Sequence, residues 1–358
     1  MEKVVENIFG NRLKLARKMA GFSLQELADA LENKVSKQAL NKYEMGQMNP
    51  SSDVLVAISS TLKVKPDYFF KKQQVELGEI LFRKKASLSK KSEDSIVEKV
   101  RDYVERYLEI EGILEAATPF RNPLQNIKIT KKSDVEVAAN QLRKEWNLGT
   151  DPIPNIIEML ELKGIKILLI DDVDDIDGLA VFTSTGIPVV VVNTRKKSIE
   201  RIRFTITHEL AHLLLKLEKQ ILDNTKELEK YCHFFSSCFL IPTEMLLKQI
   251  GSGKRSYIRI EELIAIKEYF GISIRAIVHR LKELEIITEN YYHRWIVYMS
   301  KTYGAKEEPG VYKGEEKSRN FDQLVNRALA EELISLSKAA ALWNVSVNEL
   351  RKGFAGVR

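Results

Sequence analysis

Apolar residues recur at three- and four-residue spacing along most of this chain, and run nearly unbroken in short stretches near its middle. Residues 6–63 hold four short amphipathic helices. Ile8, Leu13, Leu15 and Ala16 mark the first. Ser23 is an N-cap for the second, with Glu26 at the capping-box position and Leu27, Ala28 and Leu31 inward. A polar turn, Glu32-Asn33-Lys34, follows. Ser36 caps a third helix that turns Leu40 and Tyr43 inward, holds Lys37, Gln38, Asn41 and Lys42 outward, and ends at Gly46. Asn49-Pro50-Ser51 opens the fourth. A long amphipathic helix is expected over residues 92–116, and two more over 133–146 and 153–163. The period then changes, and residues 164–170, 178–182 and 187–192 read as strands. Helical spacing returns over 203–215, 226–242, 258–270, 273–284 and 289–303. A polar loop over 305–319 precedes a last helix-turn-helix pattern, Ile334 to Leu350, which could bind DNA or a partner but reads more as a packing element. The fold class expected is mainly α with a small β-sheet (α+β).

Length and composition narrow this picture. A chain of 358 residues suggests two or three domains, and 44% hydrophobic with 30% charged residues gives enough apolar surface for sizeable cores. Two cysteines argue against a disulfide framework and fit a reducing, cytoplasmic setting. The amino terminus lacks the pattern of a signal peptide, and no run is apolar enough to span a membrane, so no membrane partner is expected. A net charge of +6 permits nucleic-acid binding without demanding it. Asp171, Asp172, Asp174, Asp175 and Asp177 crowd one loop but miss the calcium-loop pattern, so a solvated acidic loop is expected.

The chemistry concentrates at His208-Glu209-Leu210-Ala211-His212. On a helix, His208 and His212 lie on one face one turn apart and can grip one zinc ion. Glu209 then points to the open position, where it can take a proton from water. With only 5 His in the chain, this pairing is improbable by chance. A third protein ligand is needed. Glu227, Glu229 and His233 lie on the next helix, and spacing alone does not separate the two carboxylates. His233 is a partner behind the ligands or a competing ligand. Cys232 and Cys238, six apart, read as small core residues. The strands run directly into the His helix, so a strand edge flanks the cleft, where an extended peptide could add by main-chain pairing.

Two resemblances extend these readings. Leu24-Gln25-Glu26-Leu27-Ala28, Val35 to Gly46 and Asn49-Pro50 resemble the lambda-repressor/Cro-like (XRE) helix-turn-helix family, except that Glu-Asn-Lys stands in the turn where the family often has Gly. By that family's docking mode the third helix enters the major groove of double-stranded operator DNA. Gln38 and Asn41 would read base edges, Lys37 and Lys42 would reach bases or phosphates, and Gln25 would touch the backbone. Residues 1–72 hold 12 Lys+Arg against 8 Asp+Glu, in the same direction. Such modules bind as homodimers on two half-sites.

Pro188 to Asn193, Thr207 to Leu214, and Glu229-Lys230-Tyr231-Cys232-His233-Phe234-Phe235-Ser236-Ser237-Cys238-Phe239-Leu240-Ile241-Pro242 resemble the ImmA/IrrE zinc metallopeptidases, in the longer form with an XRE head. Cys232, Ser236 and Ser237 stand where that family favours Ala. The resemblance implies that Glu229 is the third zinc ligand and that the substrate is a protein, a transcriptional repressor or regulator, in a stress, mobile-element or phage-defence response. The expected organisation is a helix-turn-helix domain over 1–72, a linker over 73–91, a zincin-like domain over 92–252 and a helical region over 253–358. The competing reading is a DNA-binding regulator or antitoxin-like protein whose zinc site is structural or sensory.

Overall fold

Serine, asparagine and threonine set most helix starts in this chain, because their side chains satisfy the first unpaired backbone N–H groups. The computed structural model describes residues 7–32, 34–78, 89–172, 176–304 and 307–354. Asn33 of the polar turn, linker residues 79–88, Asp174 and Asp175 of the acidic loop, and Ala305 lie outside the described residues.

The first helices are α1 (Ile8–Met19), α2 (Leu24–Ala30), α3 (Lys37–Glu44) and α4 (Ser52–Leu62), then a 3-10 turn over Pro66–Phe70 and α5 (Lys90–Ile113). β1 (Lys128–Ile129), α6 (Lys132–Glu145), α7 (Ile156–Glu161), β2 (Lys166–Ile170), β3 (Gly178–Phe182) and β4 (Pro188–Asn193) follow. Next come α8 (Ile199–Leu214), β5 (Lys216–Leu217), α9 (Lys219–Asp223), α10 (Thr225–Leu240), α11 (Thr243–Ile250), α12 (Ile260–Phe270), α13 (Ile274–Glu283) and α14 (Glu289–Tyr303). The last are α15 (Asn320–Ala330), α16 (Leu336–Leu342) and α17 (Val347–Phe354). The fold is therefore α+β and mainly helical. No described helix is long and apolar enough to cross a membrane.

Two compact units are present. The first comprises residues 1–118, 181–189 and 319–358. Its amino-terminal core is Leu13, Ala16, Leu27, Leu40, Tyr43, Ile58 and Phe69, all buried. Ser23 and Glu26 form the expected capping box, and Ser36 accepts the Ala39 N–H at 3.2 Å. Between α2 and α3, Glu32 takes the left-handed backbone (φ 54°) that glycine more often supplies. The four segments read from sequence do not follow this division. Helix α5 joins the amino-terminal head instead of leading the second unit: Arg12 Nη1 donates to Glu105 at 2.7 Å, and Ser95 Oγ donates to the Met19 carbonyl at 2.8 Å. The apolar stripe of α5 announced a buried helix but not which neighbour would cover it.

The second unit comprises residues 119–180 and 190–318. Strand order is β2-β4-β3, with β4 central and buried at every position. β3 and β4 form a hairpin, closed by Thr183 N–H to the Ile187 carbonyl (2.9 Å) and Asn193 N–H to the Asp177 carbonyl (2.9 Å). β1 pairs parallel with β5, Lys128 opposite Lys216. The acidic loop is not wholly solvated: Asp177 pairs with Lys197 at 2.7 Å and Arg201 at 2.8 Å. A buried guanidinium braces the unit. Arg203 of α8, fully buried, pairs with the buried Glu316 and donates to the carbonyls of Gly271 (3.0 Å) and Ile153 (2.8 Å). Glu316 in turn accepts the Ile156 N–H at 2.8 Å, at the start of α7.

Candidate metal centre and DNA-binding head

Helix α8 starts at Ser198, whose hydroxyl accepts the Arg201 N–H at 3.3 Å, and runs without Gly or Pro to Leu214. Ile206, Leu210 and Leu214 sink into the core of the second unit. That burial fixes the register of His208, Glu209 and His212. Helix α10 starts at the Asn224 cap and ends before Pro242, and it lies against α8. Leu228, Cys232, Phe235 and Phe239 form its buried stripe. Glu229, Cys232 and His233 are three and four residues apart, so they reach the same neighbourhood.

Three side chains converge. His208 Nε2 and His212 Nε2 lie 3.1 Å apart. Glu229 Oε2 is 3.0 Å from His208 Nε2, and its Oε1 is 3.5 Å from His212 Nε2. A tetrahedral zinc at its usual ~2.05 Å from each ligand would set its ligand atoms about 3.3 Å apart. The three separations bracket that value, so the donor set has the type and spacing to hold a zinc-sized cation. Glu227, the other carboxylate left open by spacing, lies in the first turn of α10 with its N–H on Asn224. His208 Nδ1 is buried and has no hydrogen-bond partner among the described residues. His212 differs, since its Nδ1 lies 3.2 Å from Cys232 Sγ. Nε2 faces the other two side chains, and the contact at Nδ1 holds the ring orientation.

His233 lines the same site. Its ring is 4.5 Å from that of His208 and stacks on Phe204 at 5.6 Å. One ligand atom from each of His208, Glu229 and His233 falls within a 4.8 Å cluster. Burial, and after it the neighbouring His208, pushes the His233 imidazole down to about 4, leaving it neutral at pH 7. Glu209 is buried beside the first residue of edge strand β3. A Cβ on Gly178 would come within 3.0 Å of Glu209 Cγ and 2.8 Å of Thr205 Cγ2. Sequence reasoning missed both Cys232 and Gly178. The Cys at a position three after Glu229 was a usable signal; the close approach of Gly178 was not.

On the head, Lys37, Gln38, Asn41 and Lys42 are exposed on α3, and Gln25 is exposed on α2, with its amide on Asp29 at 2.8 Å. Leu40 and Tyr43 hold the opposite face of α3 in the core.

Comparison with known proteins agrees with this division. A model described as the IrrE N-terminal-like domain, of a peptidase family, matches residues 161–282, which carry the whole converging cluster. A helix-turn-helix model matches residues 13–69. The chain carries the helix-turn-helix head of HTH-type regulators and an IrrE/ImmA-like peptidase-family domain. It is thus a helix-turn-helix regulator fused to a peptidase-family domain. Over 76 residues it is 38% identical to the SPbeta prophage-derived uncharacterized HTH-type transcriptional regulator YonR of Bacillus subtilis (strain 168), covering 21% of this chain and 68% of that protein. Over 66 residues it is 35% identical to the HTH-type transcriptional regulator ImmR of the same organism, covering 18% of this chain and 50% of that protein.

Proposed function

We propose that this chain is a DNA-binding transcriptional regulator with a zinc-dependent endopeptidase in the same molecule, and that it cleaves a repressor or related regulatory protein. The observation that carries the reading is the convergence of His208 Nε2, His212 Nε2 and the Glu229 carboxylate at 3.0–3.5 Å. These three side chains would hold the zinc. When bound, the ion supplies Lewis acidity that brings the pKa of a water to about 7 and polarises a carbonyl. Glu209 is placed to take a proton from the attacking water and to return it to the leaving amine. Cys232 orients His212. The edge of β3 beside Glu209 offers main-chain groups to an extended peptide, antiparallel to the strand. His233, neutral and packed beside His208, is placed to donate to a substrate oxygen.

The amino-terminal head binds a DNA operator as a homodimer on two half-sites. Gln38 and Asn41 read bases, Lys37 and Lys42 reach bases or phosphates, and Gln25 touches the backbone. The target is a protein of the kind that shares an operator or pathway with helix-turn-helix regulators such as ImmR and YonR.

The test is Glu209→Gln in the full chain. Zinc content measured by atomic absorption stays at the wild-type level, and cleavage of a target captured on the variant is lost by about 10²-fold or more. Wild-type cleavage rates in the variant would sink the mechanism. Absence of zinc from the wild-type protein would sink the metal assignment.

A further inference from the structure

The carboxy-terminal helices repeat the helix-turn-helix pattern of the amino-terminal head. Helices α2 and α16 each span seven residues and start from a serine cap, Ser23 and Ser335. Nine residues after each cap comes a left-handed turn residue, Glu32 (φ 54°) and Asn344 (φ 55°). A valine and a serine then lead into the next helix, Val35-Ser36 before α3 and Val345-Ser346 before α17. The first turn is two residues longer. Ser346 and Glu349 form a capping box, with Ser346 N–H to Glu349 Oε2 at 2.7 Å and Glu349 N–H to Ser346 Oγ at 3.1 Å.

From each second serine the register is the same. Four residues on lies an apolar residue, the buried Leu40 or the half-buried Leu350. Two, five and six residues on lie the exposed positions, Gln38, Asn41 and Lys42 in α3, and Asn348, Arg351 and Lys352 in α17. Those three fall on one helix face. In α17 this face carries an amide, a guanidinium and an ammonium, and Glu349 is turned aside into the cap. α15 supplies the supporting helix, with Phe321, Val325 and Ala328 buried. The module is anchored to α5: Asn320 Nδ2 donates to Tyr107 Oη at 2.7 Å, Arg106 Nη1 donates to the Leu342 carbonyl at 2.6 Å, and Lys338 pairs with Glu109.

We propose that α15–α17 is a second duplex-DNA-binding head, with α17 as its groove helix. Asn348 faces base edges, and Arg351 and Lys352 neutralise phosphates or contact guanine. The partner chemistry is set by two cations and an amide on one exposed face, with no carboxylate among them. Both heads are fixed to one helix, so a duplex engaged by the first meets the second at high effective concentration.

The test uses the full chain and a long mixed-sequence DNA duplex, with affinity measured across a salt series. Arg351→Ala with Lys352→Ala should lower the slope of log affinity against log salt by about 2, roughly one unit per phosphate contact. Arg351→Lys with Lys352→Arg should keep the slope. The duplex should also protect Lys352 of the wild-type protein from acetylation, which needs no variant. An unchanged slope together with unprotected Lys352 overturns the proposal. Lys37→Ala with Lys42→Ala run in parallel tests the amino-terminal head. Loss of slope there alone leaves the first head standing and removes the second, and no change in either pair removes both.

Discussion

Cys232 shows how one atom can tune the candidate centre. Its sulfur is the group 3.2 Å from His212 Nδ1. A partner on the far nitrogen of a ligand typically changes metal affinity by about 10- to 100-fold. Cys232→Ala removes that partner at small volume cost, so zinc affinity should fall by about that factor in chelator competition, with the melting curve of the metal-free protein nearly unchanged. Equal affinities would mean that the sulfur is only packing. A second residue gives a pH signature. Burial raises the Asp177 carboxyl, but hydrogen bonds from Lys197 and Arg201 and their charges outweigh it, and the group ends well below the usual carboxylate range. A depressed folded pKa gives stability that is full above the unfolded value of about 3.9 and is lost as pH falls below it. Asp177→Asn should therefore lower the melting temperature at pH 6, and its difference from wild type should shrink steadily as pH falls below about 4, read by circular dichroism. A difference constant across that range would contradict the ion-pair account.

At the scale of elements, Arg203 joins α8 to the start of α7, to the α12–α13 turn and to the loop carrying Glu316. Burial raises the Glu316 carboxyl, against the pull of Arg203. Removing the guanidinium leaves that carboxyl buried without its cation. Arg203→Met should cost about 3–5 kcal/mol in urea unfolding, and adding Glu316→Leu should restore much of it. No restoration would mean that the carbonyl contacts of Arg203 matter more than the pair. Elements like α8 and α10 were legible because caps, apolar spacing and a terminal Pro242 all agree locally. Strands β3 and β4 were legible for the same reason. Residue Arg203 was not, since a lone arginine among apolar neighbours looks like the polar face of a helix, and its partner lies more than a hundred residues away in a loop. The candidate site was legible as far as side chains at helical spacing go. The contact of Gly178 with Glu209 depends on how strand and helix meet, which no local pattern encodes. Helix α5 illustrates the same limit: its stripe was plain, its partner was not.

At the scale of the molecule, the helix-turn-helix head and the candidate centre rest on separate cores. Leu13, Leu27, Leu40 and Phe69 close the head, and Ile206, Leu210, Cys232 and Phe239 close the core around the candidate centre, with no residue in common. None of the residues that converge on the centre belongs to α2 or α3. Folding energy supplied by a metal is therefore expected to act on the second core first. Stripping the metal should lower the melting midpoint of the chain, by an amount that rises with free zinc as ligand linkage requires. DNA affinity at fixed salt should stay within about twofold, well under the 1.4 kcal/mol that a tenfold change represents. The measurement is fluorescence anisotropy on one labelled duplex with loaded and stripped protein, beside calorimetry of both. A large loss of DNA affinity on stripping, at a temperature where the head remains helical, would show that the centre controls the head and would favour a sensory site over a proteolytic one. Retained binding with lost peptide cleavage is what a regulator carrying an independent hydrolase requires.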